Sequence, residues 1–245
     1  MTLAGRHVLV AGGAKGIGRA TVQMLQCAGA QVAVLDREAE ALDGLRDLPY
    51  AQADVTVSGE VSRAVDDLAR QMGRLDGLVC AVGIDLLASL DAITDDSWDR
   101  LMAVNLGGPM KLCRAALPHL RRAGGGSIVT LSSGAGLVPL RNRSGYAASK
   151  AGLQMFSKSL AMELAADSIR VNVVCPGAVD TELFRSSIDP AGDVEAQMQS
   201  VRDRYALGRI AEPEEIAAAV VWLLSDAASY VTGIAMAVDG GRTFH

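Results

Sequence analysis

Tyr146 and Lys150 stand four residues apart, a spacing that puts two side chains on one face of a helix. A phenol is a poor base near neutral pH, with a pKa near ~10. An ammonium beside it favours the phenolate and turns the tyrosine into a candidate proton acceptor. Tyr-x-x-x-Lys is common by chance, so its meaning depends on what surrounds it.

A second group of residues could hold an anion. Residues 11–18 read Ala-Gly-Gly-Ala-Lys-Gly-Ile-Gly, between a short apolar run and a helical pattern. Gly12, Gly16 and Gly18 let the backbone turn tightly and approach a pyrophosphate, which the N–H groups of the following helix then bind. Lys15 and Ile17 belong to the same turn. No Gly-Lys-Ser/Thr follows, so this is not a Walker loop. Asp36 comes about 20 residues later, at the end of the next apolar run, where a carboxylate accepts hydrogen bonds from adenosine ribose hydroxyls. It also repels a 2′-phosphate, which favours NAD over NADP. Lys15 and Arg37 pull the other way, but a carboxylate against a dianion at close range outweighs a mobile lysine. The positive ring of an oxidised nicotinamide would add to the effect of Lys150 on Tyr146.

These residues need an alternating scaffold. Strand patterns fall at 7–11, 31–35, 50–53, 76–81, 127–131, 169–175 and 234–238. Helical patterns fall at 16–28, 57–72, 97–120, 145–166 and 213–225, with a short helix expected after Asp36 and a capping signal at Thr94. Such alternation implies right-handed crossovers and an α/β fold with one doubly wound, parallel, seven-stranded sheet of Rossmann type. No linker or repeat divides the chain, so residues 1–245 are expected to be one dinucleotide-binding and catalytic domain. Residues 178–209 form the one long irregular stretch, expected to be a substrate-binding loop or lid, with helix-like spacing at 194–205.

Composition narrows the function. Half of the 245 residues are hydrophobic, only 4% are aromatic, and the formal charge is −5, which speaks against nucleic acid as partner. The four cysteines (27, 80, 113, 175) match no zinc or redox spacing and are expected to be reduced core residues. His7, His119 and His245 are scattered, and no metal site is expected. No apolar run is long enough for a membrane span, and a cytoplasmic location is expected.

With those residues in place, the chain resembles the short-chain dehydrogenase/reductase family along nearly its whole length. The resemblance rests on the glycine turn, Asp54, Asn105, Ser133, Tyr-Ala-Ala-Ser-Lys at 146–150, Pro176-Gly177 with Thr181, and Asp239-Gly240-Gly241. It implies that Tyr146 exchanges a proton with the substrate oxygen and that Ser133, rather than Ser132, hydrogen-bonds that oxygen. It further implies that Lys150 binds nicotinamide-ribose hydroxyls and lowers the tyrosine pKa, and that Asn105 holds a water linking Lys150 to solvent. Asp54 and Val55 would border the adenine; Pro176, Gly177, Val179 and Thr181 would line the nicotinamide end. Ala81, Gly83 and Arg37 complete the cofactor residues. Two positions depart from the family pattern: Ala11 replaces a threonine, and Ala81-Val82-Gly83 replaces Asn-Ala-Gly. Both losses remove polar braces of the cofactor cleft.

The expected reaction interconverts a secondary alcohol and a ketone on a small molecule. Arg143, three residues before Tyr146, suits a carboxylate. The substrate is therefore expected to be acid-bearing or polyhydroxylated: the short spacing after Asp36 and the Asn142-Arg143 pair resemble the 3-hydroxybutyrate dehydrogenase branch, and the Lys15-Gly-Ile-Gly turn with Asp36 and Asn105-Leu-Gly-Gly resemble the 2,3-dihydro-2,3-dihydroxybenzoate dehydrogenase branch. Leu183 and Phe184 would supply an apolar wall. Two other readings stand: a 3-oxoacyl thioester reductase using NADPH, and a non-catalytic nucleotide-binding sensor or scaffold. The helices at 97–120 and 145–166 are apolar over more than one face, and the resemblance implies homodimers or a homotetramer.

Overall fold

Seven strands, β1 (His7–Ala11), β2 (Gln31–Asp36), β3 (Tyr50–Gln52), β4 (Gly77–Cys80), β5 (Gly126–Leu131), β6 (Ile169–Pro176) and β7 (Ala235–Val238), form one parallel sheet. They are seen in a computed structural model that describes residues 2–38, 45 and 47–243. The order is β3-β2-β1-β4-β5-β6-β7. The direction of winding reverses between β1 and β4, and the carboxyl ends of these two strands open a crevice. The alternating strand and helix patterns thus led to the observed sheet.

Side-chain alternation along each strand feeds two cores. On one face Leu9, Leu35, Leu78, Ile128 and Val171 pack beneath α2 (Ser58–Met72), α4 (Gly108–Arg122) and α5 (Ser144–Leu164). On the other, Val10, Val34, Val79, Val129 and Val174 pack beneath α1 (Gly16–Cys27) and α8 (Pro213–Leu224). Strands buried on both faces read as continuous apolar runs, which is why they stood out in the sequence.

Several expectations need correction. The helix expected over 97–120 is two helices, α3 (Asp95–Met102) and α4, joined by a π-helical turn at Ala103–Gly107. Its start is capped as expected: Thr94 and Ser97 exchange backbone-to-side-chain bonds of 3.1 Å. Gly108 lets α4 approach the loop after β3, because a Cβ there would lie 2.8 Å from Val55 Cγ2. The stretch 178–209 is less irregular than expected, holding α6 (Glu182–Arg185) and α7 (Val194–Arg202). Cys80, Cys113 and Cys175 are buried, but Cys27 is exposed. The buried stripe of α1 runs through Gly18, Thr21, Val22 and Leu25, and Cys27 falls off it. The short helix expected after Asp36 lies outside the described residues, as does His245.

Candidate active site

The first turn of α1 opens into a cleft of about 1170 Å³. Gly12 takes φ 80°, and a Cβ on it would meet the Ala81 carbonyl carbon at 2.8 Å. A Cβ on Gly18 would lie 1.9 Å from Gly12 O, so the turn closes only with glycine there. The first turn of α1 carries no acidic residue, and its Gly16, Ile17 and Gly18 line the cleft. Gly12 N–H bonds Leu35 O and Ala81 N–H bonds Ala11 O, each at 2.8 Å. The main chain thus ties the cleft walls together where the family pattern has threonine and asparagine side chains.

At the end of β2, the Asp36 carboxylate accepts from the backbone N–H groups of Ala14 (3.1 Å), Arg37 (2.7 Å) and Glu38 (3.2 Å). Three main-chain donors fix its direction and leave acceptor capacity for a ligand hydroxyl. Lys15 is engaged elsewhere: its Nζ sits 2.7 Å from Glu38 and 3.0 Å from Glu182 on α6. The Glu38 and Glu182 carboxylates push its pKa up. Asp54 Oδ1 accepts from both the backbone N–H and the hydroxyl of Thr56 at 2.8 Å, which holds its pKa down.

Deeper in the cleft, the two candidate serines separate by role. Ser132 is buried, donates to Lys150 O at 2.9 Å and accepts from Gln154 at 3.0 Å. It braces β5 against α5. Ser133 lines the cleft beside Tyr146 and accepts from Ala135 N–H at 3.1 Å. Lys150 is buried; its Nζ donates to Leu131 O at 2.9 Å and lies 5.8 Å from the centre of the Tyr146 ring.

The titration behaviour of this pair departs from expectation. Loss of water pushes the Tyr146 phenol up to about 12; the Ser133 hydroxyl opposes this, Asp85 reinforces it and Arg143 opposes it. Burial holds Lys150 down at about 8. Without a ligand, desolvation therefore outweighs any help that Lys150 gives the phenolate. Asn105 sits on the π-helical turn and is fully buried. Its amide donates to Ile84 O (2.9 Å) and Ser149 Oγ (3.1 Å), and its oxygen accepts from Ile84 N–H (2.9 Å). A Cβ on Gly83 would lie 3.2 Å from Lys150 Nζ and 3.5 Å from Asn105 Oδ1, so both border one small space.

The remaining wall comes from the segment after β6. A Cβ on Gly177 would touch the Tyr205 ring at 2.7 Å, and Tyr205 Oη accepts from Ala178 N–H at 2.8 Å. Val179 bridges to Ala211, and Thr181 caps α6 by accepting from Phe184 N–H at 3.2 Å. Leu183 and Phe184 face the cleft. Arg143 lines it too, but its guanidinium is already forked onto Asp85, with contacts of 2.8–3.1 Å.

Every residue expected to bind cofactor or substrate lines this one cleft, together with Ser133, Tyr146 and Lys150; Asn105 stands behind its wall. Sequence reasoning missed Glu38, Asp85, Glu182, Arg204, Tyr205 and Arg242, which line it as well. Glu182 and Arg242 directly follow motif positions, and Glu38 and Asp85 lie two residues past one, a proximity that could have flagged them; Arg204 and Tyr205 adjoin no motif.

The arrangement has counterparts among known proteins. A family model described as enoyl-(acyl carrier protein) reductase matches residues 12–243. The chain is 41% identical to cis-4-hydroxycyclohexanecarboxylate dehydrogenase of Sinomonas cyclohexanicum, covering 97% of this chain and 96% of that protein. It is 37% identical to D-threitol dehydrogenase of Mycolicibacterium smegmatis, over 98% and 94% of the two chains. The solved structure of levodione reductase superposes with a TM-score of 0.94 at 31% identity, over 98% of each chain.

Proposed function

The chain belongs to the short-chain dehydrogenase/reductase family, and on that footing we propose that it interconverts a secondary alcohol and a ketone on a small molecule with NAD as cofactor. The observation that carries this reading is the convergence of Ser133, Tyr146 and Lys150 at the inner end of a cleft whose outer end is the glycine turn. The turn fits a dinucleotide: backbone fills the space where side chains would stand, and the start of α1, where a helix offers free N–H groups to an anion, lines the cleft. The nicotinamide, when bound, supplies the hydride acceptor or donor and a positive charge in its oxidised form.

The chain's own residues do the rest. Ser133 donates to the substrate oxygen and steadies its charge. Tyr146 takes the carbinol proton during oxidation and returns one during reduction. Its high pKa in the free site means that added positive charge must lower it before it acts as a base near neutral pH. Lys150, still protonated at pH 7 with its pKa near 8, supplies part of that charge. Asn105 positions the loop at Ile84 behind them. Gly12, Gly16, Ile17, Gly18, Asp36, Arg37, Asp54, Val55, Ala81, Gly83, Pro176, Gly177, Val179 and Thr181 hold the cofactor. Leu183 and Phe184 cover the substrate from residues 178–209, and the whole chain works as one domain.

The choice of NAD rests on Asp36 and Glu38. A 2′-phosphate at the end of β2 would face both carboxylates, while Lys15 is held by two glutamates. The reading also places the protein in the cytoplasm as a homodimer or homotetramer. No helix among the described residues is long and apolar enough to cross a membrane, and no metal-binding cluster occurs among them. The test is turnover of an alcohol and ketone panel with both cofactors, in wild type and Tyr146→Phe. We expect the variant to lose about a thousandfold or more in kcat while its dinucleotide Kd holds. Intact turnover in the variant would sink the reading, and a panel without turnover would favour the sensor. Asp36→Ala should move the kcat/KM ratio toward NADP; an unmoved ratio would remove the NAD assignment.

A further inference from the structure

Asp85 and Arg143 lie 58 positions apart in sequence, on the loops after β4 and β5, and both face the cleft beside Tyr146. Arg143 Nε donates to Asp85 Oδ1 at 3.1 Å and to Oδ2 at 3.0 Å, and one terminal nitrogen reaches Oδ2 at 2.8 Å. Each side chain keeps 18% of its surface exposed. The two loops are tied a second time, Ala88 N–H donating to Asn142 O at 2.9 Å. Asn142 has a left-handed backbone, φ 58°, a conformation that asparagine tolerates better than most residues. Asp85 Oδ1 also accepts from Leu86 N–H at 2.8 Å. The pair is therefore built in place, not a chance surface contact.

Resting on the oxidoreductase reading above, we propose that the Asp85–Arg143 pair reads a substrate hydroxyl and selects a neutral polyhydroxylated alcohol over a carboxylate-bearing one. A free arginine here would receive a carboxylate, but this one already has a carboxylate in its fork. An incoming acid would have to break a partly buried ion pair and then sit against the charge of Asp85, and separating such a pair costs more than an equivalent new contact returns. A hydroxyl breaks nothing. It donates to Asp85, whose two oxygens share the one Nε–H and can cede half of that bifurcated contact, and accepts from the guanidinium nitrogen that has no partner among the described residues. It brings no charge into the cleft, so its desolvation cost is small. The two relatives described above do not decide the point, since one is named for an acid and the other for a neutral tetrol.

The test compares kcat/KM across neutral diols and polyols, matched mono-alcohols, and hydroxy acids, using the intact protein with both nicotinamide cofactors. Cyclohexane-1,2-diol, cyclohexanol and cis-4-hydroxycyclohexanecarboxylate are one matched set. Diols should exceed both other classes by about tenfold or more, the strength of a hydrogen bond to a charged group. Asp85→Asn keeps the shape but loosens the fork; it should bring diols down toward mono-alcohols and raise the acids. Arg143→Lys keeps the charge without the fork and should also lose the diol advantage. Wild-type preference for acids would overturn the proposal. Unchanged ratios in both variants would overturn it too, and the wild-type order stands as a test even if a variant does not fold. Absence of turnover in all three classes with both cofactors would instead defeat the oxidoreductase reading, and this inference with it.

Discussion

Burial moves Lys150 and Tyr146 in opposite directions, to about 8 from 10.5 and to about 12 from 10.0. The lysine's folded pKa is depressed, so between 8 and 10.5 the unfolded chain keeps a proton that the folded protein has released, and stability rises with pH there. The tyrosine's is raised, so between 10 and 12 the unfolded chain has lost a proton that the folded protein keeps, and stability falls. Denaturant midpoints measured at about pH 7.5 and about pH 9.5 should therefore rise more for wild type than for Lys150→Met. Equal changes would show that the ammonium is not desolvated. An ultraviolet titration checks the phenol: wild type and Tyr146→Phe should gain tyrosinate absorbance equally up to about pH 11 and diverge only beyond it. Tyr146 and Lys150 were legible in sequence because one helical turn joins them. The Asp85–Arg143 pair was not, because its members meet only once two loops from different strands fold together.

At the scale of elements, strands and most helices were legible because both faces of the sheet are covered and the apolar runs are uninterrupted. The π-helical turn at Ala103–Gly107 was not. It adds one residue to a helix, a phase shift of roughly 100°, while apolar residues continue on both sides. That shift carries Asn105 inward to bind Ile84 and Ser149. The glycine turn makes a sharper prediction. Gly18→Ala places a Cβ in the space held by Gly12 O, so the turn must open. Nicotinamide dinucleotide affinity, read by calorimetry, should fall by about a hundredfold or more (~3 kcal/mol), whereas Gly73→Ala, at a helix end with open space around it, should leave affinity unchanged. Equal binding by wild type and Gly18→Ala would remove the turn from the cofactor site.

Across the whole molecule, the sheet is packed from two sides, and a cavity on either side should be felt globally. Leu78→Ala and Val79→Ala face opposite cores. The leucine variant should lose about 2–5 kcal/mol of unfolding free energy and the valine variant somewhat less. A single cooperative transition in both, by denaturant melts, would show that the layers unfold together; two transitions would show that they do not. The proposed association has a natural seat on α5, where Met155 and Met162 are 63% and 83% exposed; charging both should yield a smaller species on size exclusion. Lys15, bonded at once to Glu38 and to Glu182 on α6, joins the two lips of the crevice. Three such solvent-facing groups make a weak fastening, one that ordinary ions loosen. Ionic strength should therefore set how readily the doorway swings, making the traffic of ligands, more than the chemistry within, the step that responds to salt.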